Sequence, residues 1–216
     1  AAENHDVRTL LISGAGGSFS AGNDLDDFMN NSPADGEDSS VVRFMRALLN
    51  FPKPALAAVD GVAVGIGTTL LLHCDLVYAG CNAKFKMPFA SLGLCPEFAS
   101  SYLLPRMMGH QQAAELLFFG ESFDGARAQS AGFVTEARSD VSALPHAFER
   151  SEALNQLPPS SLRATKQLMR GELRSKALET LSEERKLFSE GLKSPEFTEA
   201  VTAFFEGRKP DFSTFN

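Results

Sequence analysis

The stretch Gly61–Glu97, GVAVGIGTTLLLHCDLVYAGCNAKFKMPFASLGLCPE, decides how the chain is read. A short apolar segment, Ala55–Val59, leads into it, and Gly61, Gly65 and Gly67 follow. Glycines in that place permit a sharp strand-to-helix turn and close approach of a ligand to the backbone. Thr68–Leu72 continues apolar and reads as the first turns of a buried helix. The N–H groups at a helix start lack internal partners, so they can face a developing negative charge. The stretch closes on one carboxylate, Glu97, set among Leu94, Pro96 and Phe98. These residues predict a pocket of main-chain donors facing a single, partly desolvated base.

Working outward, Val7–Ser13 is an apolar run ended by Gly14–Gly17 and reads as a buried parallel strand. Ser18–Asp24 is then a loop, Asp24–Met29 a short helix with acids in its first turn, and Asn30–Ser39 a polar surface loop. Val41–Asn50 is amphipathic, with Val41, Val42, Met45, Leu48 and Leu49 on one face. Pro52 and Pro54 force an extended entry to the strand Ala55–Val59. Asp75–Ala79, Ala83–Lys86 and Gly132–Glu136 read as further strands. Ala99–Met108, Gln111–Phe119 and Asp124–Ala131 read as helices, the last capped by Asp124. From Val141 every segment reads as helix: Val141–Leu157, Ser160–Leu168, Leu173–Lys193 and Pro195–Glu206. Strands alternating with helices, then helices alone, predict an α/β core over 1–140 with a helical region over 141–216.

Composition narrows the function. The 216 residues carry a net charge of −7 with no basic block, which argues against nucleic-acid or anionic-membrane surfaces. Three cysteines, an odd and sparse set, point to a reduced compartment. We expect a cytoplasmic chain: no leader pattern opens the sequence, and Ser213–Asn216 carries no peroxisomal address. The longest apolar run, Gly61–Leu72, is too short to span a bilayer. Both glycine clusters fail the dinucleotide fingerprint, since Phe19 and Leu70 stand at the third glycine position. The histidines fit no zinc spacing, so no metal is expected, and His73 reads as a core residue. Cys95 has no histidine nearby in sequence and reads as a packed thiol.

Two features survive. Ser20-Ala21-Gly22-Asn23-Asp24 and Gly65-Ile66-Gly67 each follow a strand and precede a helix, and each offers one backbone N–H to a bound oxygen. The other is Glu97. Taken singly, the plainer readings are favoured: two tight turns, and a solvent-facing glutamate capping the helix that begins near Ala99.

Taken together, these residues resemble the crotonase (enoyl-CoA hydratase/isomerase) superfamily. The matching order is Phe19–Leu25, Lys53-Pro54, Asp60-Gly61-x-Ala63-x-Gly65-x-Gly67, Cys74-Asp75, Phe85-x-x-Pro88, Leu92-Gly93, Gly109, Gly120, Ala131–Val134 and Arg208-Lys209-Pro210-x-Phe212. The resemblance implies a ClpP/crotonase-like α/β fold, a spiral of ββα turns with a helical C-terminal region that packs a homotrimer or a dimer of trimers. Hydratases of the family carry two glutamates, one where this chain has Thr69 and one where it has Phe89. Met87–Tyr102 is instead similar to Δ3,Δ2-enoyl-CoA isomerases of the peroxisomal type, in which the acid at the Glu97 position acts alone.

The resemblance then implies an acyl-CoA thioester substrate and no cofactor beyond the substrate's own CoA. It gives Glu97 the role of proton shuttle, and the N–H groups of Asn23 and Ile66 that of oxyanion donors. Ser20, Ala21, Asp24, Leu25, Gly65 and Phe89 would line the substrate. Arg208, Lys209 and Lys53 are candidates for the CoA phosphates, although each taken alone reads as an ordinary surface charge. Hydration, another reaction of the family and a non-catalytic acyl-CoA-binding module remain the alternatives. Family members normally carry a further strand pair and helix ahead of the segment that begins here at Ala1–Asp6.

Overall fold

The structure is a computed structural model in which residues 1–24, 39–139 and 141–215 are described. The expected helix from Asp24 and most of the loop to Ser39 lie outside those residues. Four parallel strands form the main sheet in the order β1 (Leu10–Ser13), β2 (Ala55–Val59), β4 (Leu76–Ala79), β7 (Glu136–Ala137). Leu10 pairs with Ala55, Leu56 with Leu76, and Tyr78 with Glu136. A smaller sheet joins β3 (Val62–Val64) in parallel to β5 (Lys84–Lys86), with β6 (Phe123–Asp124) antiparallel to β5.

Strand β2 shows why the main sheet forms here. All five of its residues are buried, as a parallel strand covered on both faces requires. Alternation sends Ala55, Ala57 and Val59 into the main core and Leu56 and Ala58 to the opposite face. There they meet Tyr78, Ala143 and Ala147. The last two belong to the helix Ala143–Asn155, so this helix packs on the sheet. Thr9 fixes its far end through Ser151 and Asn155.

Among the described residues the α-helices in chain order are α1 (Ser40–Leu49), α2 (Ile66–Thr69), α3 (Ser100–Met108), α4 (His110–Phe119), α5 (Gly125–Ser130), α6 (Ala143–Asn155), α7 (Pro159–Gly191) and α8 (Pro195–Glu206). The Ser39 hydroxyl caps α1 by accepting from Val42 N, and Asp124 caps α5 by accepting from Arg127 N. Val41, which periodicity puts on the buried face of α1, is exposed.

Three differences from the expected elements have physical causes. Gly132–Thr135 turns and bends, with Gly132 at φ 86° and the Thr135 hydroxyl accepting from Val77 N in place of a backbone carbonyl, so strand β7 is confined to Glu136–Ala137. The segment Val62–Val64, read as part of a glycine turn, is a strand because its backbone bonds both β5 and the Phe19–Ser20 segment. Finally, Ser160–Leu168 and Leu173–Lys193 are one helix of 33 residues, α7. Gly171 lies mid-helix in open space, where glycine costs only about 1 kcal/mol. Polar anchors hold the first half: Lys166 donates to the Lys53 carbonyl and to Asp75, and Arg170 to the carbonyls of Leu72, His73 and Cys74. Ala177, Leu181 and Glu184 bury the second half. Among the described residues no helix is long and apolar enough to cross a membrane.

Candidate active site

The two glycine turns lie side by side. Ser20 N donates to Val62 O and Val64 N donates to Ser20 O, both at 2.9 Å, so the Ser20 segment runs parallel to β3. A Cβ on Gly67 would lie 2.7 Å from the Ser20 Cβ, and only a glycine permits this approach. Gly65 has φ 56° and ψ −121°, a conformation that side chains exclude. The turn launches α2, which tightens into a 3-10 turn at Leu70–His73. Ile66, the first helical residue, has no acceptor one turn back for its N–H. Among the described residues neither Ile66 N nor Asn23 N donates to a protein acceptor.

Glu97 sits opposite in an unusual turn. Phe98 and Ala99 both have φ 58°, the left-handed region, although neither is glycine. Phe98 is fully buried, stacked on the His73 ring at 4.0 Å, and its carbonyl meets His73 Nε2 at 2.7 Å. Ser100 Oγ donates to the Glu97 carbonyl at 2.6 Å. Glu184, reaching in from α7, accepts from Ala99 N at 2.6 Å and from Ser101 N at 3.0 Å, and also from the Ser101 hydroxyl. The Glu97 side chain is only 8% exposed, so the solvent-facing reading does not hold. Burial pushes its carboxyl up to about 8, with the Glu184 charge adding to the rise. Burial also raises Glu184, to about 7, but the bonds from Ser101 and Ala99 oppose that rise. The three hydrogen bonds that Glu184 accepts favour its charged form.

One cavity of about 480 Å³ holds Ala21, Asn23, Gly65, Ile66, Phe89 and Glu97 on its wall. Among the described residues, Glu97 is its sole acid. Ser20 and Asp24 do not line it: the Ser20 hydroxyl accepts from Gly22 N and steadies the turn, while Asp24 is exposed. Leu25 lies outside the described residues. Thr69 is fully buried, with its hydroxyl unpartnered.

The basic candidates divide. Lys53 is no surface charge, because its ammonium is tied to the carbonyls of Ala1 and Asn4. Arg208 lines the cavity, its guanidinium engaged by Glu199 and Glu206, and Lys209 is exposed. Sequence reasoning missed Lys86, which reaches the cavity from β5, and Phe188 and Phe204 of α7 and α8. Lys86 carried a signal, since Lys84, Phe85 and Lys86 alternate exposed, buried, exposed. The phenylalanines had none, because their approach depends on how the terminal helices return to the core.

The other reactive side chains have structural partners. Burial drives His73 down to about 3 and Cys74 up to about 12. Cys95 is pushed up to about 11 and donates to the Glu184 carbonyl at 3.4 Å. Among the described residues no group of three His, Cys, Asp or Glu is placed to hold a metal ion.

Comparison with known proteins gives this geometry a setting. The family pattern described as enoyl-CoA hydratase/isomerase matches residues 1–214. Enoyl-CoA delta isomerase 2 of Rattus norvegicus is 37% identical over 97% of this chain, which spans only about half, 54%, of that protein. The 2,3-dehydroadipyl-CoA hydratase of Escherichia coli (strain K12) is 32% identical over 98% of this chain and 83% of its own length. The solved structure of OdaA from Pseudomonas aeruginosa superposes with a TM-score of 0.89 at 48% identity, covering 93% of this chain and 81% of that one. The chain belongs to the enoyl-CoA hydratase/isomerase, or crotonase, family and has its α/β fold.

Proposed function

We propose that this chain is an acyl-CoA double-bond isomerase that converts 3-enoyl-CoA to trans-2-enoyl-CoA with Glu97 as its single acid/base. The observation that carries the proposal is the buried Glu97 carboxyl sharing a cavity with the N–H groups of Asn23 and Ile66, which have no protein acceptor among the described residues. The ionised carboxylate removes a proton from C2. The electron pair moves into the C1–C2 bond and onto the thioester oxygen, where the two N–H groups receive the charge. When the carbonyl re-forms, the double bond settles between C2 and C3, and Glu97 returns the proton to C4. One such donor is worth about 10²–10³ in rate, and a base with a pKa near the working pH suits both halves of the transfer.

Syn addition of water asks for a second group to activate the water. Thr69 and Phe89 stand where the hydratase acids would be, and neither can serve. The hydratase name of the Escherichia coli relative keeps hydration as the second reading. The same proposal takes CoA only as part of the substrate, puts Lys86, Arg208 and Lys209 near its anionic end, and expects a cytoplasmic homotrimer or dimer of trimers.

The test is a spectroscopic assay with 3-enoyl-CoAs of several lengths, run on the wild type and on Glu97→Gln. The variant is expected to lose activity by about 10²–10⁴-fold with its circular dichroism unchanged. Turnover near wild type in the variant would remove Glu97 from the mechanism. Loss of 2-enoyl absorbance in the wild type would favour hydration. Tight CoA binding with no turnover would favour a binding module.

A further inference from the structure

The structure shows a second buried carboxylate that the proposed chemistry does not use. Glu184 arrives from α7, 87 positions along the chain from Glu97, and its carboxylate meets the backbone directly after the catalytic residue. It accepts two N–H groups at the start of α3, those of Ala99 and Ser101, together with the Ser101 hydroxyl, while the Ser100 N–H between them donates to the Glu97 carbonyl. The Ala99 donor belongs to the turn in which Phe98 and Ala99 take left-handed backbone angles, and the Ser101 donor to the first turn of α3. Such angles in non-glycine residues persist only where the surroundings over-determine them. His73 fixes the Phe98 side of the turn, and Glu184 fixes the Ala99 side.

We infer that Glu184 is a positioning residue for Glu97: by holding the Ala99 and Ser101 N–H groups it fixes the strained turn that presents the Glu97 carboxyl to the cavity. The inference rests on the reading of Glu97 as the base. A plain helix cap needs neither a buried carboxylate nor a place beside the catalytic acid. A serine or threonine hydroxyl does that work at lower desolvation cost. The charge has a further effect, since an ionised Glu184 makes it harder for Glu97 to lose its proton. The other groups bearing on the pair are Glu183 and Cys95, with Lys86 of β5 and Arg208 after α8 on the cavity wall and His73, held neutral, behind Phe98.

The test is Glu184→Gln, which keeps the size of the side chain but removes its charge and leaves one backbone donor without an acceptor. Titration of Glu97, followed by carboxyl carbon NMR without substrate, is expected to move to lower pH. With 3-enoyl-CoA, kcat is expected to fall on the order of tenfold to a hundredfold, as misplacement of a catalytic group does, while KM stays near wild type. A folded Glu184→Gln protein with wild-type kcat, or with an unchanged Glu97 midpoint, would overturn the inference. If that variant does not fold, Ser101→Ala removes only the hydroxyl bond, and a smaller shift in the same direction is expected. An unshifted midpoint there would overturn the inference equally. A wild type inactive on every 3-enoyl-CoA would count against the isomerase reading instead, and the substrate-free titration would still decide the role of Glu184.

Discussion

The two sides of the cavity reach unusual backbone geometry by opposite means. At Gly65–Gly67 the chain uses residues without side chains, so φ 56° at Gly65 and the contact with Ser20 carry no steric penalty. At Phe98–Ala99 it holds two ordinary residues at φ 58° and compensates with a buried ring stack and a carboxylate drawn from a distant helix. The first turn is written locally in the sequence. The second exists only once α7 has returned to the core. The donor side of the site is therefore cheap and local, and the acid side is strained and dependent on the whole fold.

The sharpest way to break this comparison is Gly67→Val. Its side chain would meet Ser20 atoms already within 3.0 Å of a bare Cβ and would force the two turns apart. A loss on the order of 10²–10³ in kcat is expected, equal to one oxyanion donor. A variant with wild-type turnover would show that the two turns need not touch.

A pH series probes the acid side. With Glu97 as the proposed base, activity should fall as pH drops through about 8. Stability should run the other way. Between the ordinary carboxylate value of 4.5 and about 8, folded Glu97 keeps a proton that the unfolded chain has lost. Its contribution is complete below 4.5 and is lost as pH rises to about 8. Glu97→Gln should thus have the higher melting temperature at about pH 9, a difference that shrinks toward about pH 4. A wild type as stable as the variant at high pH would mean that the carboxyl is not desolvated.

The smallest effects come from exchanging the two turns' devices. Gly65→Ala adds a methyl in open space, so it reports backbone strain alone and should cost about 1–3 kcal/mol. Ala99→Gly relieves a left-handed angle but frees the unfolded chain and empties a buried site. It should fall within about 1 kcal/mol of neutral in denaturant unfolding. Equal penalties at the two positions would erase the distinction.

This contrast also explains what the sequence disclosed. The strand Ala55–Val59, the glycine turn after it and the helix Pro195–Glu206 are marked by local pattern, by punctuation and by proline, and they stand where expected. Helix α7 reads as two helices in the sequence because its first half is fixed by Lys166 and Arg170, polar anchors invisible to an apolar period. Glu97 was legible as a lone acid among apolar neighbours. Its left-handed neighbours and its partner Glu184 were not, since they depend on a contact 87 residues away.

The central claim is that one carboxyl, shielded from water, carries a proton from C2 to C4. A 3-enoyl-CoA deuterated at C2 tests it most directly, with the product read by mass spectrometry and NMR. The expected product is trans-2-enoyl-CoA bearing part of that deuterium at C4, with no label transfer by Glu97→Gln. A product whose C4 hydrogen comes wholly from solvent, or a 3-hydroxyacyl-CoA, would contradict it.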